Sequence, residues 1–236
     1  MAANDWKQKY GSELKLEENK LPMPDTVDWK SVYEKKPLGR NLLKNPSPFG
    51  LDHETPPPER ELAGMFGAEP PRFEPEGDFS NWTKSNETLP YDTSGIPAGA
   101  VICHLPQFSW FTLEQKVDLK AEGFWDELLD DFQPDIAIED WYEQSQIREP
   151  VYVLKVTLLG ADGQTVIKEH VFTPEGGQSN DSHTWKQVTH VFSSYGPGVR
   201  QVHFLHKMKN MNMVQFHATR VTGSSVIVRP TRSTTH

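Results

Sequence analysis

With 236 residues, 36% of them hydrophobic, the chain can bury one sizeable core and little more. A formal net charge of −9 argues against a phosphate-tracking surface, because nucleic-acid binders carry a basic excess or a basic stripe. No apolar run reaches the length of a membrane span, no signal-peptide pattern opens the chain, and Cys103 is the single cysteine, so a soluble cytoplasmic protein in a reducing compartment is expected, with no disulfide.

Residues 1–20 are charged and nearly free of branched apolar side chains, which predicts a disordered tail. Trp29, Val32 and Tyr33 then fall at helical spacing behind Asp25 and Thr26, two good N-cap types, and Pro37 and Gly39 stop the pattern. A short helix and a linker are expected over 21–45. Residues 46–78 change character: eight prolines lie between Pro46 and Gly77 with many acids and little periodicity, the composition of an exposed loop.

From residue 79 to 230 the chain is aromatic and β-branched with regular turn punctuation. Tyr152, Leu154, Val156 and Leu158 alternate along one face, and "GADG" turns this strand into "TVIKEHVF" as a hairpin. A second hairpin is expected where "SSYGPG" joins "TWKQVTHVF" to "VRQVHFLH", and a third where "TGSS" joins "HATRV" to "SVIVR". Phe124, Trp125, Leu128, Leu129 and Phe132 share one side of a short helix that would cover a sheet end. Strands at this spacing without long helices predict an all-β fold, an antiparallel sandwich with one or two short helices behind a helical N-terminal segment. Residues 231–236 are expected to form a disordered tail.

Signs of catalysis are few. No nucleophile-elbow, phosphate-loop, dinucleotide or zinc-protease motif occurs. Cys103 and His104 are adjacent, but a catalytic cysteine needs a base delivered by the fold and not by the next residue. The acids from Asp126 to Asp131 lack the alternate-position ligands and glycine of a calcium loop and read as a solvated helix face. Met208, Met211 and Met213, near His203, His206 and His217, have the softness that suits Cu(I), but methionine also fills gaps, and strand alternation decides where the histidines point. No metal and no cofactor are assigned. The aromatics of "QFSWF" (107–111) and "EDWYE" (139–143), which includes Trp141, stand beside polar groups suited to stacking on sugar or peptide.

Four stretches, "PLGRNLLKNP" (37–46), "KVDLKAEGFWDELLDDFQPDIAIEDWYE" (116–143), "YGPGVRQVHFLH" (195–206) and "TRVTGSSVIVRP" (219–230), resemble the F-box-associated domain of the sugar-recognising F-box proteins. The resemblance implies a jelly-roll-like β-sandwich of about ten antiparallel strands. It implies a substrate-recognition subunit, not an enzyme, whose loops at one end hold the chitobiose core of N-glycans and deliver glycoproteins to a ubiquitin ligase of the SCF type for ER-associated degradation. By that resemblance Phe108 lines the sugar pocket and Asp140 stands at its rim. Asn212, Met213 and Val214 occupy the loop where sugar binders place tyrosine, tryptophan and lysine, which degrades the aromatic wall. The F-box itself is reduced to "LP" and the helix around Trp29 and Tyr33, so Skp1 and cullin recruitment loses its usual docking helix. The expected partner is therefore a glycoprotein or protein, with no nucleic acid and no more than peripheral membrane association. The alternative implied by an F-box-less member is a cell-surface antigen receptor of nonspecific cytotoxic cells in innate immunity.

Overall fold

Period-two alternation of apolar residues builds two facing antiparallel sheets. A computed structural model describes residues 3–57, 77–88, 94–100, 109–143, 151–175, 184–209 and 219–233. Among these lie eight strands: β1 (Thr83–Thr88), β2 (Ser109–Asp118), β3 (Ile136–Glu143), β4 (Tyr152–Leu159), β5 (Val166–Phe172), β6 (Trp185–Phe192), β7 (Gln201–Lys209) and β8 (Val221–Val228). Five pair in the order β1-β2-β7-β4-β5 and three in the order β6-β3-β8. From β2 to β4 and again from β5 to β8, each strand lies in the sheet opposite its predecessor, the winding of a jelly roll. Leu113 and Val117 of β2, Leu154, Val156 and Leu158 of β4, Val202 and Phe204 of β7, and Ile136 and Ile138 of β3 are buried between the sheets. No helix among the described residues is long and apolar enough to cross a membrane.

The N-terminal region is part of this fold. Where a disordered tail is expected over 1–20, residues Ala3–Glu13 form helix α1, and Tyr10 and Leu16 are buried. A few large side chains suffice here, because each aromatic removes far more area from water than a branched aliphatic residue. Burial pushes the Tyr10 hydroxyl up to about 12. Helix α2 (Trp29–Lys35) starts one turn later than the sequence suggests, capped by Asp28, whose carboxylate accepts the Ser31 N–H. Trp29 packs edge-on against Trp125 at 5.0 Å, and the Trp125 indole donates to the Pro22 carbonyl. The two helices thus cover the end of the sandwich formed by helix α3 (Leu119–Glu122) and a π-helical turn at Leu128–Phe132, where Phe124, Trp125, Leu128, Leu129 and Phe132 are all buried as their spacing predicts.

Residues 37–46, expected as linker, form a strap along the β8 edge. Gly39 and Leu42 N–H groups donate to the Val228 and Val226 carbonyls, and the Ser224 N–H donates to the Pro46 carbonyl. The Asn41 side chain gives its amide N–H to the Ser224 carbonyl and accepts from the Val226 N–H. Across the seam, Gln115 of β2 accepts the Lys44 N–H and donates to the Lys44 carbonyl, and Trp82 donates to the Asn45 carbonyl. The strap joins both sheets and places the N-terminal limit of the fold well before residue 79. Of the proline-rich loop, 46–57 and 77–78 also pack: Phe49 meets Phe79, which meets Phe111, and the Asp78 N–H donates to the Pro48 carbonyl. At the C-terminal end, Ser233 bonds both oxygens of Asp135.

The β4–β5 hairpin forms as expected, with Leu154 opposite Phe172. The other two hairpins do not. β6 pairs with β3 while β7 pairs with β2 and β4, so "SSYGPG" carries the chain from one sheet to the other. That crossing is anchored by Asp130, which accepts the Gly198 N–H and two bonds from the Arg200 guanidinium at 2.8 and 2.7 Å; this arginine holds the Asp130 carboxyl below the usual carboxylate range. "TGSS" lies inside the continuous strand β8, where Gly223 takes φ +62°.

The second seam, between edge strands β5 and β6, is closed by His170 and His190, stacked 3.9 Å apart and nearly parallel. Burial lowers the pKa of both rings, and each other's proximity and Lys168 lower that of His190 further. Both rings are therefore favoured neutral in the folded state, while in the unfolded chain they titrate near about 6.5. The stability of this seam is complete above that value and is lost as pH falls through it toward the depressed folded pKa. Replacing His190 by Phe keeps the ring contact and removes one titration. The fall in melting temperature between pH 7.5 and pH 5, followed by differential scanning fluorimetry, is expected to be smaller in His190→Phe than in the wild type.

Candidate functional site

Four connections leave from one end of the sandwich. Thr88 of β1 stands opposite Ser109 of β2, Trp110 opposite Lys209 of β7, Met208 opposite Tyr152 of β4, and Phe172 of β5 opposite Leu154. In the other sheet Glu143 of β3 stands opposite Trp185 of β6, and Tyr142 opposite Val221 of β8. The segments 89–108, 144–150, 173–184 and 210–220 therefore spring from neighbouring strand ends. The strand that follows Phe108 and the strand that precedes Asn212, Met213 and Val214 are hydrogen-bonded neighbours. Those four residues lie outside the described residues, as do Cys103 and His104.

Beneath these loops the sandwich is polar where a core is ordinarily apolar. Strand β3 slips register against β8 between Glu139 and Trp141, and the intervening Asp140 turns inward with Ile138 and Tyr142. It is 0% exposed. One oxygen accepts the Ser224 hydroxyl at 2.7 Å; the other accepts the Tyr152 hydroxyl and lies 2.8 Å from Nδ1 of His206, which as donor carries the ring proton there. Burial, followed by the charge of Asp140 and the bond to it, holds the Tyr152 hydroxyl well above the ordinary tyrosine pKa. Tyr142 stacks on Tyr152 at 4.4 Å and Trp82 stacks on His206 at 5.0 Å. Asp140 thus bonds residues of β4, β7 and β8 from within β3. This corrects the expectation of a rim aspartate: its acceptors are engaged inside the protein.

Trp141 faces the other way. Its ring stacks on His53 at 4.3 Å, its N–H donates to Glu139, and a Cβ on Gly223 would stand 3.0 Å from Trp141 Cδ1, so only glycine lets the indole lie across β8. The chain from 51 to 55 crosses this outer face: the Thr222 hydroxyl donates to the Leu51 carbonyl and Trp185 to the Thr55 carbonyl. Trp141 is covered by its own chain.

Residues that the sequence reading passed over make the remaining base of the loop end. Arg220 and Glu143 form a buried pair with bonds of 2.7 and 2.8 Å at the roots of two loops. On the outer face of the larger sheet, the ammonium groups of Lys207 and Lys209 lie 5.1 and 5.2 Å from the Trp110 ring, and Lys207 also pairs with Glu87. Alternation in β7 sends His206 and Met208 inward and His203 outward to Glu114. The two histidines thus lie on opposite faces of one strand, Met211, Met213 and His217 lie outside the described residues, and among the described residues no group of three or more histidine, cysteine or acidic side chains could hold a metal ion. Two acids of the π-helical region are paired with cations of the chain: Asp126 with Lys120 and Arg200, Asp130 with Arg200.

A profile of the F-box-associated region matches residues 33–228. F-box only protein 50 of Danio rerio is 61% identical over 232 residues that cover 98% of each chain. F-box only protein 50 of Homo sapiens is 40% identical over 89% of this chain and 69% of its own, and F-box only protein 6 of Bos taurus 32% identical over 89% and 73%.

Removing the Asp140 carboxylate leaves three buried donors without an acceptor. Asp140→Ala is expected to lower unfolding free energy by about 3–5 kcal/mol in urea titrations, the range for breaking a buried charged network from one side. Trp141→Ala, which loses one stacked contact on the outer face, is expected to cost roughly 1–2 kcal/mol.

Proposed function

The chain belongs to the F-box-associated family, and on that premise we propose that it is a non-enzymatic recognition module whose loop end holds a glycoprotein or protein partner. The observation that carries this reading is the pairing of β2 with β7, which brings the segments containing Phe108 and residues 212–214 to adjacent strand ends although they lie far apart in sequence. Phe108 would supply one face for a ligand. Asn212, Met213 and Val214 would supply the other without the stacking aromatics of a sugar site, so contacts to protein surface gain weight over contacts to sugar.

Asp140 enters this reading as a positioning residue: through Tyr152, His206 and Ser224 it fixes the strand ends that carry the loops. Presentation of the bound partner to an SCF-type ligase in the cytoplasm is the finer reading that family membership supports. The N-terminal helices do not offer the apolar surface that an F-box gives to Skp1. Tyr10, Trp29 and Val32 of these helices, and Leu16 and Leu21 between them, are buried within the fold. A ligase contact would have to use another surface.

Calorimetric titration of the full chain with a chitobiose-core oligomannose glycan tests the reading, beside the variant Asn212→Tyr, Met213→Trp. The native chain is expected to bind at least about tenfold more weakly than the variant, the difference of a stacked aromatic or two. Tight native binding abolished by Phe108→Ala would instead make the glycan itself the ligand.

A further inference from the structure

Strand β2 outruns its neighbour. β7 pairs with it as far as Asp118, but β1 begins at Thr83 opposite Glu114, so among the described residues no strand lies on the other side of Gln115–Asp118. The reason β1 starts late is local. Asn81 takes φ +68°, the Trp82 N–H turns back to the Phe79 carbonyl, and the indole is drawn into the core toward Asn45, leading the chain away from β2. The Leu119 N–H donates to the Arg200 carbonyl, on the β7 side. Backbone groups alternate sides along a strand, so those of Lys116 and Asp118 point the other way. There they face a groove of about 560 Å³ lined by Leu42 and Lys44 of the strap, Asn81 and Thr83, and Glu114 to Asp118 of β2, with Ala121 and Glu122 at its end.

The charges of this groove are unevenly committed. Glu114 is paired with His203, Glu122 with Arg40, and Asp118 accepts the Ala121 N–H as the cap of α3. Lys44 and Lys116 are exposed and, among the described residues, have no carboxylate partner. What remains for a ligand, among the described residues, is the Lys116 N–H and carbonyl and the Asp118 N–H on the open edge, an apolar floor at Leu42 and Val117, and two uncommitted ammonium groups. We propose that this groove is a binding site for an extended acidic peptide, which adds to the edge of β2 in line with β1 and places its carboxylates at Lys44 and Lys116. Main-chain bonds to Lys116 and Asp118 provide the affinity common to strand addition, and the two lysines select the sign of charge. The unpaired stretch accommodates about four residues, roughly 13 Å of strand. It lies toward the end of the sandwich covered by the N-terminal helices, away from the loop end, so both sites can be filled at once.

The test uses the full-length chain, labelled for NMR and titrated with the acetylated, amidated pentapeptide Val-Glu-Val-Glu-Val and with its Val-Lys-Val-Lys-Val counterpart. The acidic peptide is expected to bind saturably, to shift the Lys116 and Asp118 amide signals and to slow their hydrogen exchange. The variant Lys44→Glu, Lys116→Glu, whose two side chains are exposed and whose melting temperature should match the wild type, is expected to weaken binding about tenfold. The proposal is overturned by the absence of saturable binding, by binding that leaves both amides exchanging freely, or by equal affinity for the lysine peptide. Shifts in the groove on adding oligomannose, with none on adding the acidic peptide, would overturn it in favour of a carbohydrate.

Discussion

A carboxylate buried between two sheets constrains everything around it. Asp140 can stay inside only while its oxygens accept hydrogen bonds, and the donors come from β4, β7 and β8, one residue each. That requirement fixes the separation of the sheets at this level, the register slip in β3 and the inward rotamers of Tyr152 and His206. Apolar packing alone would allow neighbouring strands to slide or tilt, because dispersion has little direction. A three-donor network does not, and it sits directly under the roots of the loops.

The same logic extends to the opposite end. Asp130, accepting from Gly198 and Arg200, and Gln133, accepting the Gly196 N–H, tie the crossover between β6 and β7 to the π-helical turn, where an unbonded loop would be free to move. The four stretches through which the family resemblance is visible are therefore largely stretches that hold elements together: Asn41 on β8, Asp130 on the crossover, Asp140 between the sheets, Arg220 on Glu143. The residues proposed for recognition fall outside these motifs or, as with Asp140, are bonded into the framework. A scaffold kept rigid by such bonds leaves its loop end free to vary in chemistry.

Much of the fold was legible in the sequence because alternation is a local signal. Tyr152, Leu154, Val156 and Leu158 announce β4, and the five apolar residues from Phe124 to Phe132 announce a buried turn of helix. What was not legible depends on distant partners. "SSYGPG" shows that the chain reverses but not that β6 and β7 lie in different sheets, which is decided by pairing with β3 and β2. Asp140 shares the parity of Ile138 and Tyr142, so its inward direction was available; that it could remain there depended on Tyr152, His206 and Ser224, up to 84 residues away. The first twenty residues read as disordered because their apolar content is sparse, yet Tyr10 and Leu16 are buried, Tyr10 edge-on to Tyr33 and accepting the Leu38 N–H, partners some 20 to 30 residues further along the chain.

The strap carries one more implication, for the order in which the molecule is made. Asn41 bonds Ser224 and Val226 across 183 and 185 residues, so its partners leave the ribosome long after it does. Until then Leu38, Leu42 and Leu43 have no strand edge to cover them, and the seam they close stands open. Closing a loop of that span costs entropy before the contact repays it, and the strap's bonds to β8 are among the least local in the fold. A nascent chain of this kind exposes a leucine-rich segment while the intervening residues are added, the type of segment that chaperones hold.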